Sequence, residues 1–321
     1  MSADQKRLQK SEIWPPLPYS TWKDTLDTFH MWMQIVGKVK LALCPFLNQW
    51  WETAFYVTPT GMTTGRIPYK KEAFAIDFHC INHTMSITTS LGEEKIIFLK
   101  PHAVAEFYKE FMSMLQELDI HVSIHPIPVE FANPISFEKD IKHASYEKEF
   151  VEKWWRIQLQ TSFIFDRFRS TFRGKSSPTH FFWGSFDLAS TRFSGKKANP
   201  PRLKGVMGKI MKYSENEENF TFGFWPGDQK FPYPAFYSYI YPAPKGYQTI
   251  KTGPSIAYFN KKLSLCILPY EEVRKKKNPE KDILNFLTTT YNEYAKLAGW
   301  DIDALEGSIP RRRPYSSYKN T

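Results

Sequence analysis

The stretch FRGKSSPTHFFWGSFDLASTRFSG, which runs from Phe172 to Gly195, decides how this chain is interpreted. It combines a histidine and a cluster of aromatic residues with an aspartate and an arginine that stand five positions apart. We predict a β-strand over residues 179–189, because aromatic residues favour strands. Period-two alternation would place four of its side chains on one face, namely Phe181, Trp183, Ser185 and Asp187.

Two interpretations of this strand stay open. In the first, Asp187 and Arg192 are polar contacts in a cavity between a sheet and helices, with walls formed by Trp51, Trp183 and the tyrosines of FYSYIY at 236–241. In the second, the two residues form a structural ion pair and the aromatic residues pack the sheet. In either case we expect the adjacent guanidinium to keep Asp187 ionised. His180 would lie on the opposite face of the strand.

The first long helix carries a second polar feature. A helix is predicted over residues 20–43, and it is apolar around nearly its whole circumference, so it should be buried. His30, Gln34 and Lys38 stand four residues apart and therefore line up on one face. Such a stripe must face solvent, a partner or a ligand cavity, because an unpaired buried polar group costs about 1–3 kcal/mol.

The order of the predicted elements repeats along the chain. Each half contains a long helix, about four antiparallel strands and a closing helix, so we predict an α+β fold of two similar halves. A shift of 131 residues aligns Trp50 and Trp51 with Phe181 and Phe182, which weakly supports an internal duplication. One mixed α+β domain is the alternative. The predicted boundaries are 1–13 for a disordered arm, 14–125 for the first half, 126–146 for a proline-rich connection, 147–306 for the second half and 307–321 for a basic flexible tail.

Composition and charge exclude several classes of protein. The 321 residues carry a net charge of +10, but the basic residues are dispersed over loops and the C-terminal tail, which argues against nucleic-acid binding. No apolar run approaches the roughly 20 residues of a membrane span, and the polar N-terminus does not resemble a signal peptide. With three separated cysteines, which we interpret as reduced thiols, the sequence predicts a cytoplasmic protein. It does not fix the oligomeric state.

Most catalytic motifs are absent. The sequence contains no glycine-rich phosphate loop and no GxSxG elbow. His79, Cys80 and His83 are close together, but Cys80 would face away from His79 on a strand and no second ligand pair follows. The sequence therefore predicts neither a metal nor a cofactor.

The remaining polar residues give a list of candidates. The candidate catalytic residues are His30, His180, Asp187 and Arg192, and the candidate ligand-binding residues are Gln34, Lys38, Asn48, Trp51, Trp183 and Tyr237. We predict a small-molecule-binding protein or an enzyme, such as a transferase or hydrolase that uses His30 or His180 as acid or base. The alternative is a noncatalytic interaction or assembly protein whose exposed aromatic residues contact a partner.

Several blocks of the sequence resemble a catalogued family. WPPLPYSTW, NQWW, GKSSPTHFFWGSFDLASTRFSG, GFWPG and FYSYIYP are similar to the family catalogued as domain of unknown function 5996, and the resemblance runs from about Trp14 to Glu306. It implies no activity, because that family has none assigned. It implies that the shared residues include His30, Gln34, Lys38, Trp50, Trp51, His180, Phe182, Trp183, Asp187 and Arg192. The lysine-rich loop at 196–212 and the RRR tail depart from the family pattern.

Overall fold

Two antiparallel sheets and the helices packed on them form the molecule. The computed structural model describes residues 10–131 and 133–307. Within these ranges the fold is α+β, with one six-stranded sheet in each half, which confirms the predicted class. The sheets exceed the four strands expected because several strands have only three residues, too few to show an alternating pattern. No helix in the described ranges has both the length and the apolarity of a membrane span.

The first half begins with two helices. Helix α1 spans Lys10–Ile13 and α2 spans Tyr19–Leu43. Strands β1 to β6 span Tyr56–Thr58, Gly61–Thr63, Ile67–Tyr69, Glu72–His79, Thr84–Thr89 and Glu94–Phe98, and α3 spans Val104–Glu117. The strand order is β1-β2-β4-β5-β6, and β3 pairs with β4.

Two segments of the first half bear on its boundaries. Helix α1 occupies the last four residues of the predicted N-terminal arm, and residues 1–9 lie outside the described ranges. Asn48–Thr53, although rich in aromatic residues, forms a 3-10 helix, and the first strand begins at Tyr56. The basic tail from 308 onward also lies outside the described ranges.

The second half follows the connection. Helix α4 spans Lys148–Arg169, strands β7 and β8 span His180–Phe182 and Asp187–Lys197, and α5 spans Gly205–Ser214. Strands β9 to β12 span Glu217–Trp225, Ala235–Tyr241, Tyr258–Asn260 and Leu265–Pro269. Helices α6, α7 and α8 span Tyr270–Val273, Pro279–Leu297 and Ile302–Leu305. The strand order is β11-β12-β10-β9-β8-β7.

The strand predicted over residues 179–189 is a hairpin. Phe182 at the end of β7 pairs with Asp187 at the start of β8, and residues 183–186 form the turn between them. Phe186 adopts a left-handed φ of 59°, which reverses the chain. The period-two assignment of side chains to faces was therefore wrong beyond Phe182, because the turn breaks the alternation.

Helix α2 joins the two halves. It is buried over most of its length, as its apolar circumference predicted. The ring of Phe29 on α2 lies 5.6 Å from Phe78 of the first sheet, 5.6 Å from Trp154 on α4 and 6.2 Å from Phe186 in the hairpin turn. The sheets also meet directly, since Phe55 and Phe181 exchange two backbone hydrogen bonds of 2.9 Å.

One contact between α2 and the hairpin requires a glycine. A Cβ atom at Gly37 would lie only 2.4 Å from the indole of Trp183. The indole cannot easily retreat, because its Nε1 donates a 3.0 Å hydrogen bond to the carbonyl of Thr53 and the residue is only 6% exposed. Gly37 thus sets how closely the hairpin turn approaches the central helix.

We expect Gly37→Ala to lower the free energy of unfolding by about 1–3 kcal/mol, because the added methyl group overpacks the Trp183 contact. This loss should outweigh the gain in helix propensity, which is about 1 kcal/mol in favour of alanine. In a Trp183→Ala background the same substitution should become neutral or stabilising. Urea denaturation of all four proteins measures this coupling, and equal losses in both backgrounds would refute the proposed contact.

Candidate functional site

A cavity of about 520 Å³ lies against one face of the second sheet. Its floor is formed by alternate residues of β8, β9 and β10, and its roof by α5 and the 3-10 helix after α2. The opposite face of the sheet carries the phenylalanines that pack against α4 and α7. The sheet is therefore a core layer on one side and a cavity wall on the other.

Small residues in register make room for an aromatic side chain on the floor. Tyr237 on β10 is paired with Gly223 on β9, which is paired with Ala189 on β8. A Cβ at Gly223 would lie 2.4 Å from the Tyr237 ring, so the ring covers the glycine. Because Gly223 and Ala189 have small side chains or none, the Tyr237 hydroxyl reaches across β9 and donates a hydrogen bond to Asp187.

Asp187 is a buried carboxyl on the floor. It is 7% exposed, and its two carboxyl oxygens accept hydrogen bonds from the hydroxyls of Ser185 and Tyr237. Burial raises its pKa above the ordinary range, and the two donors oppose that rise. We had expected an adjacent arginine to keep Asp187 ionised, but its described partners are neutral hydroxyls.

A second carboxyl stands at the other end of the same floor. Glu215, 2% exposed, accepts hydrogen bonds from Asn219 Nδ2 at 2.7 Å and from the Tyr239 hydroxyl at 3.2 Å. Burial raises its pKa to about 7, while these two donors lower it. Each acid of the floor is thus paired with one tyrosine of β10.

A third carboxyl enters from the connection between the halves. Glu130 has a left-handed φ of 57°, and a Cβ at Gly184 would lie 2.7 Å from its Oε1, so the glycine admits the carboxyl. It also lines a smaller neighbouring cavity of about 260 Å³. The residue as a whole is exposed, but its carboxyl faces these enclosed spaces. Burial of the carboxyl raises its pKa to about 7, and the negative charge of Asp187 is the second cause of this rise.

The 3-10 helix contributes an amide without a partner. Gln49 and Trp50 both adopt left-handed φ values, 66° and 61°, which are rare for residues other than glycine. Gln49 lines the cavity and is 7% exposed, yet in the described part of the chain neither its Nε2 nor its Oε1 has a hydrogen-bond partner. A buried amide normally finds partners, so this one has unused capacity beside the cavity.

Helix α5 covers the cavity without being part of the core. None of its residues is buried. It is held by the Trp50 indole, which donates a 3.0 Å hydrogen bond to the carbonyl of Ile210. Asn48 and Asn216 add two reciprocal amide hydrogen bonds of 3.2 and 2.7 Å at the surface. The candidate Asn48 therefore ties the roof down from outside and does not line the cavity.

The polar stripe of α2 holds the connection in place. His30 Nε2 donates to the carbonyls of Trp183 and Gly184, at 2.8 and 3.1 Å. The Gln34 amide accepts a hydrogen bond from the N–H of Val129 and donates one to the carbonyl of the same residue. Lys38 donates a hydrogen bond of 2.8 Å to the carbonyl of Ile127. All three side chains of the stripe are buried. The stripe thus positions the hairpin turn and the segment that carries Glu130.

The structure separates Arg192 and His180 from the cavity. Arg192 lies on the opposite face of β8 from Asp187, where it is fully buried over the ring of Phe168 and 3.6 Å from a carboxyl oxygen of Glu306. The ion pair with Asp187 does not form. His180 is 1% exposed and packs against other rings, and burial lowers its pKa to about 3. Trp51, Trp183 and Tyr237 do line the cavity.

Sequence reasoning missed several lining residues. Glu130 lies in the irregular connection, where no periodicity marks it. Tyr239, by contrast, is one of the tyrosines of FYSYIY that the sequence predicts in the cavity wall, and it shares the face of Tyr237. Glu215 and Gln49 gave no local signal. No group of three histidine, cysteine, aspartate or glutamate side chains suited to a metal ion occurs among residues 10–131 and 133–307.

Gln34→Leu should lower the free energy of unfolding by about 1–3 kcal/mol, because it leaves both backbone groups of Val129 without their partner. The change can be measured by chemical denaturation. Gln116→Leu is the matched control, since Gln116 is exposed on α3, and its effect should stay within about 0.5 kcal/mol. Equal effects of the two substitutions would show that the stripe does not hold the connection.

Glu215→Gln tests the buried carboxyl through pH. The folded pKa of about 7 exceeds the ordinary 4.5, so the stability from this group is complete below pH 4.5 and is lost as the pH rises through 7. The Glu215→Gln variant has no carboxyl at this position, so it does not lose stability as the pH rises through 7. Its free energy of unfolding relative to the parent should therefore increase by about 2–3 kcal/mol between roughly pH 5 and pH 8.

The control for this pH series is Glu149→Gln. Glu149 is exposed, and its hydrogen bond with Lys153 lowers the pKa of its carboxyl. This substitution should not increase the free energy of unfolding relative to the parent at high pH. A flat difference between Glu215→Gln and the parent across the pH range would contradict the assignment of Glu215.

Comparison with known proteins gives one match. No curated protein and no solved structure matches the chain significantly. The family model described as "Family of unknown function (DUF5996)" matches residues 14–307, which confirms the resemblance drawn from the sequence blocks. Because the match covers most of its length, the chain belongs to this family of unknown function.

Proposed function

We propose that this protein binds a small organic molecule in the cavity between the second sheet and α5. The observation that carries the proposal is the placement of Asp187, a buried carboxyl with two hydroxyl donors, on the floor of a space of about 520 Å³. Ligand sites typically combine apolar walls with a few fixed polar groups. Here tryptophans and methionines form the walls, and three carboxyls and two tyrosines supply the polar groups.

The acids of the cavity, not the histidines, are the groups that we propose for any proton transfer. His30 Nε2 is already bonded to two carbonyls, and burial lowers the pKa of His30 to about 4. His180 does not line the cavity. Burial and the nearby charge of Asp187 raise the pKa of Glu130 to about 7. A pKa near 7 suits a group that donates or accepts a proton near neutral pH.

A thermal-shift screen against a metabolite library tests the proposed function. A true ligand should stabilise the parent by several degrees, because it binds only the folded state, and should lose this effect on Asp187→Ala. Asp77→Ala is the matched control, since Asp77 is a half-buried aspartate on β4 of the other sheet. A ligand whose shift survives in Asp187→Ala binds elsewhere, and a library without hits would count against the proposal.

The alternative function, noncatalytic binding of a protein partner, has one observation in its favour. Leu203, Val206 and Met207, around the start of α5, are between 43% and 57% exposed. Clustered exposed apolar side chains favour contact with another surface. Light scattering over a range of concentrations, combined with a pull-down, separates the two functions, because a monomer without partners would exclude assembly.

Two other expectations from the sequence stand as proposals. We propose that the halves arose by duplication, which their shared order of long helix, six-stranded sheet and closing helix supports. Sheets that cannot be superposed strand by strand would contradict it. We also propose a cytoplasmic location, with which the free thiols of Cys44, Cys80 and Cys266 agree. Cell fractionation tests this directly.

A further inference from the structure

We propose that the ligand of the main cavity is an organic cation, an amine or ammonium compound whose charged group lies among Glu130, Asp187 and Gln49 and whose apolar body contacts the aromatic walls. This proposal rests on the proposed function, since it names the chemical class of that ligand. Three independent features of the cavity lead to it.

The first feature is the charge of the lining. Glu130, Asp187 and Glu215 line the cavity, whereas Lys209 on the roof is the basic residue among the described lining residues. The whole chain carries a net charge of +10, so an acidic lining runs against its overall composition. A cationic ligand supplies the missing opposite charge, and a carboxylate ligand would be repelled.

The second feature is the unpartnered amide of Gln49. Gln49 lines the cavity, and neither its Nε2 nor its Oε1 has a hydrogen-bond partner in the described part of the chain. Both atoms are enclosed, so a ligand reaches Oε1 when the Gln49 side chain rotates toward the cavity. An ammonium group has only donors, up to three of them, and needs acceptors on several sides. Glu130 from the connection, Asp187 from β8 and Gln49 from the 3-10 helix all line the cavity, and they are the acceptors proposed for such a group.

The third feature is the aromatic wall. Trp51, Trp183, Trp225 and Phe182 line the same cavity, and the rings of Tyr237 and Tyr239 are stacked, 6.4 Å apart, on its floor. Aromatic faces attract organic cations, and they also contact the apolar body that such cations carry. The wall therefore suits an aryl or alkyl amine better than a small hydrated metal ion.

Affinity for a cation should depend on pH. The titratable groups facing the main cavity are Glu130, Asp187, Glu215, Tyr237, Tyr239 and Lys209, and those of the adjoining smaller cavity include Asp27, His30, Lys142, His143, Asp228 and Lys230. The pKa of Glu130 is about 7, so its carboxyl is largely neutral at pH 5.5 and ionised at pH 8. Cation binding should strengthen as the pH rises through this interval.

Isothermal titration calorimetry with three matched probes tests the proposal. The probes are 2-phenylethylamine, 2-phenylethanol and 3-phenylpropionate, which share an aryl body and differ in the charge of the head group. At about pH 8 the amine should bind about tenfold more tightly than the alcohol, and the carboxylate should bind weakest. At about pH 5.5 the preference for the amine should shrink. An alkylammonium keeps its charge at both values, as a lysine side chain does.

Variants locate the charged head group. Glu130→Gln and Asp187→Asn should each remove most of the preference for the amine over the alcohol while leaving the affinity for the alcohol nearly unchanged. Asp27→Asn is the matched control, because Asp27 lines only the smaller cavity, and it should leave all three affinities unchanged. Circular dichroism of each variant confirms that it is folded, and comparing two probes on one variant cancels any general loss of binding.

The outcomes separate this proposal from the function on which it rests. If the alcohol and the amine bind with equal affinity and Trp183→Ala weakens both, the proposal of a cationic ligand is wrong, whereas the proposal of a small-molecule cavity is supported. Tighter binding of the carboxylate would overturn the cation and favour an anionic ligand. If none of the three probes binds, the proposal of a cationic ligand is also wrong. A metabolite-library screen without hits would then contradict the proposed function, small-molecule binding.

Discussion

The contact between Trp183 and the bare backbone of Gly37 is the constraint on which the site depends. The indole fits against α2 only because position 37 has no side chain, and its Nε1 is fixed to the carbonyl of Thr53. Trp183 is the first residue of the hairpin turn, and Asp187 follows directly after the turn. One close approach to a helix therefore decides where β8 begins, and with it the position of the buried carboxyl on the cavity floor.

The polar stripe of α2 performs the same task for the connection between the halves. A run of residues with prolines and little regular structure has few backbone hydrogen bonds of its own. Gln34 and Lys38 supply bonds to Val129 and Ile127 from a rigid, buried helix. The left-handed conformation of Glu130 is held between these anchors and Gly184. The stripe is structural in its contacts and acts on the site through the segment it positions.

The sequence predicted the architecture better than it predicted the site. The apolar circumference of α2 and the repeated order of elements are local patterns, so they could be read directly. The expected contact between Asp187 and Arg192 was wrong, although residues five apart on one strand face opposite sides and the sequence therefore already argued against it. The hairpin turn at 183–186 could not be read directly, since aromatic residues with alternating spacing also fit one continuous strand. Glu130 could not be found, because its place depends on a bond between Val129 and a residue 95 positions earlier.

The energetics of the cavity support the proposal that its acids bind a ligand. Burial raises the pKa of Asp187, Glu130 and Glu215, so each carboxylate is less stable here than in water. A core built for stability would place apolar side chains at these positions, since unpaired buried charges destabilise a fold and well-packed apolar replacements often do not. On the opposite face, burial lowers the pKa of Arg192 to about 10, although its guanidinium contacts surrounding rings and carbonyl and hydroxyl acceptors from α4 and the turn after it. Burial thus opposes charge on both faces of the sheet, and on the cavity side a positively charged ligand would stabilise the ionised carboxylates.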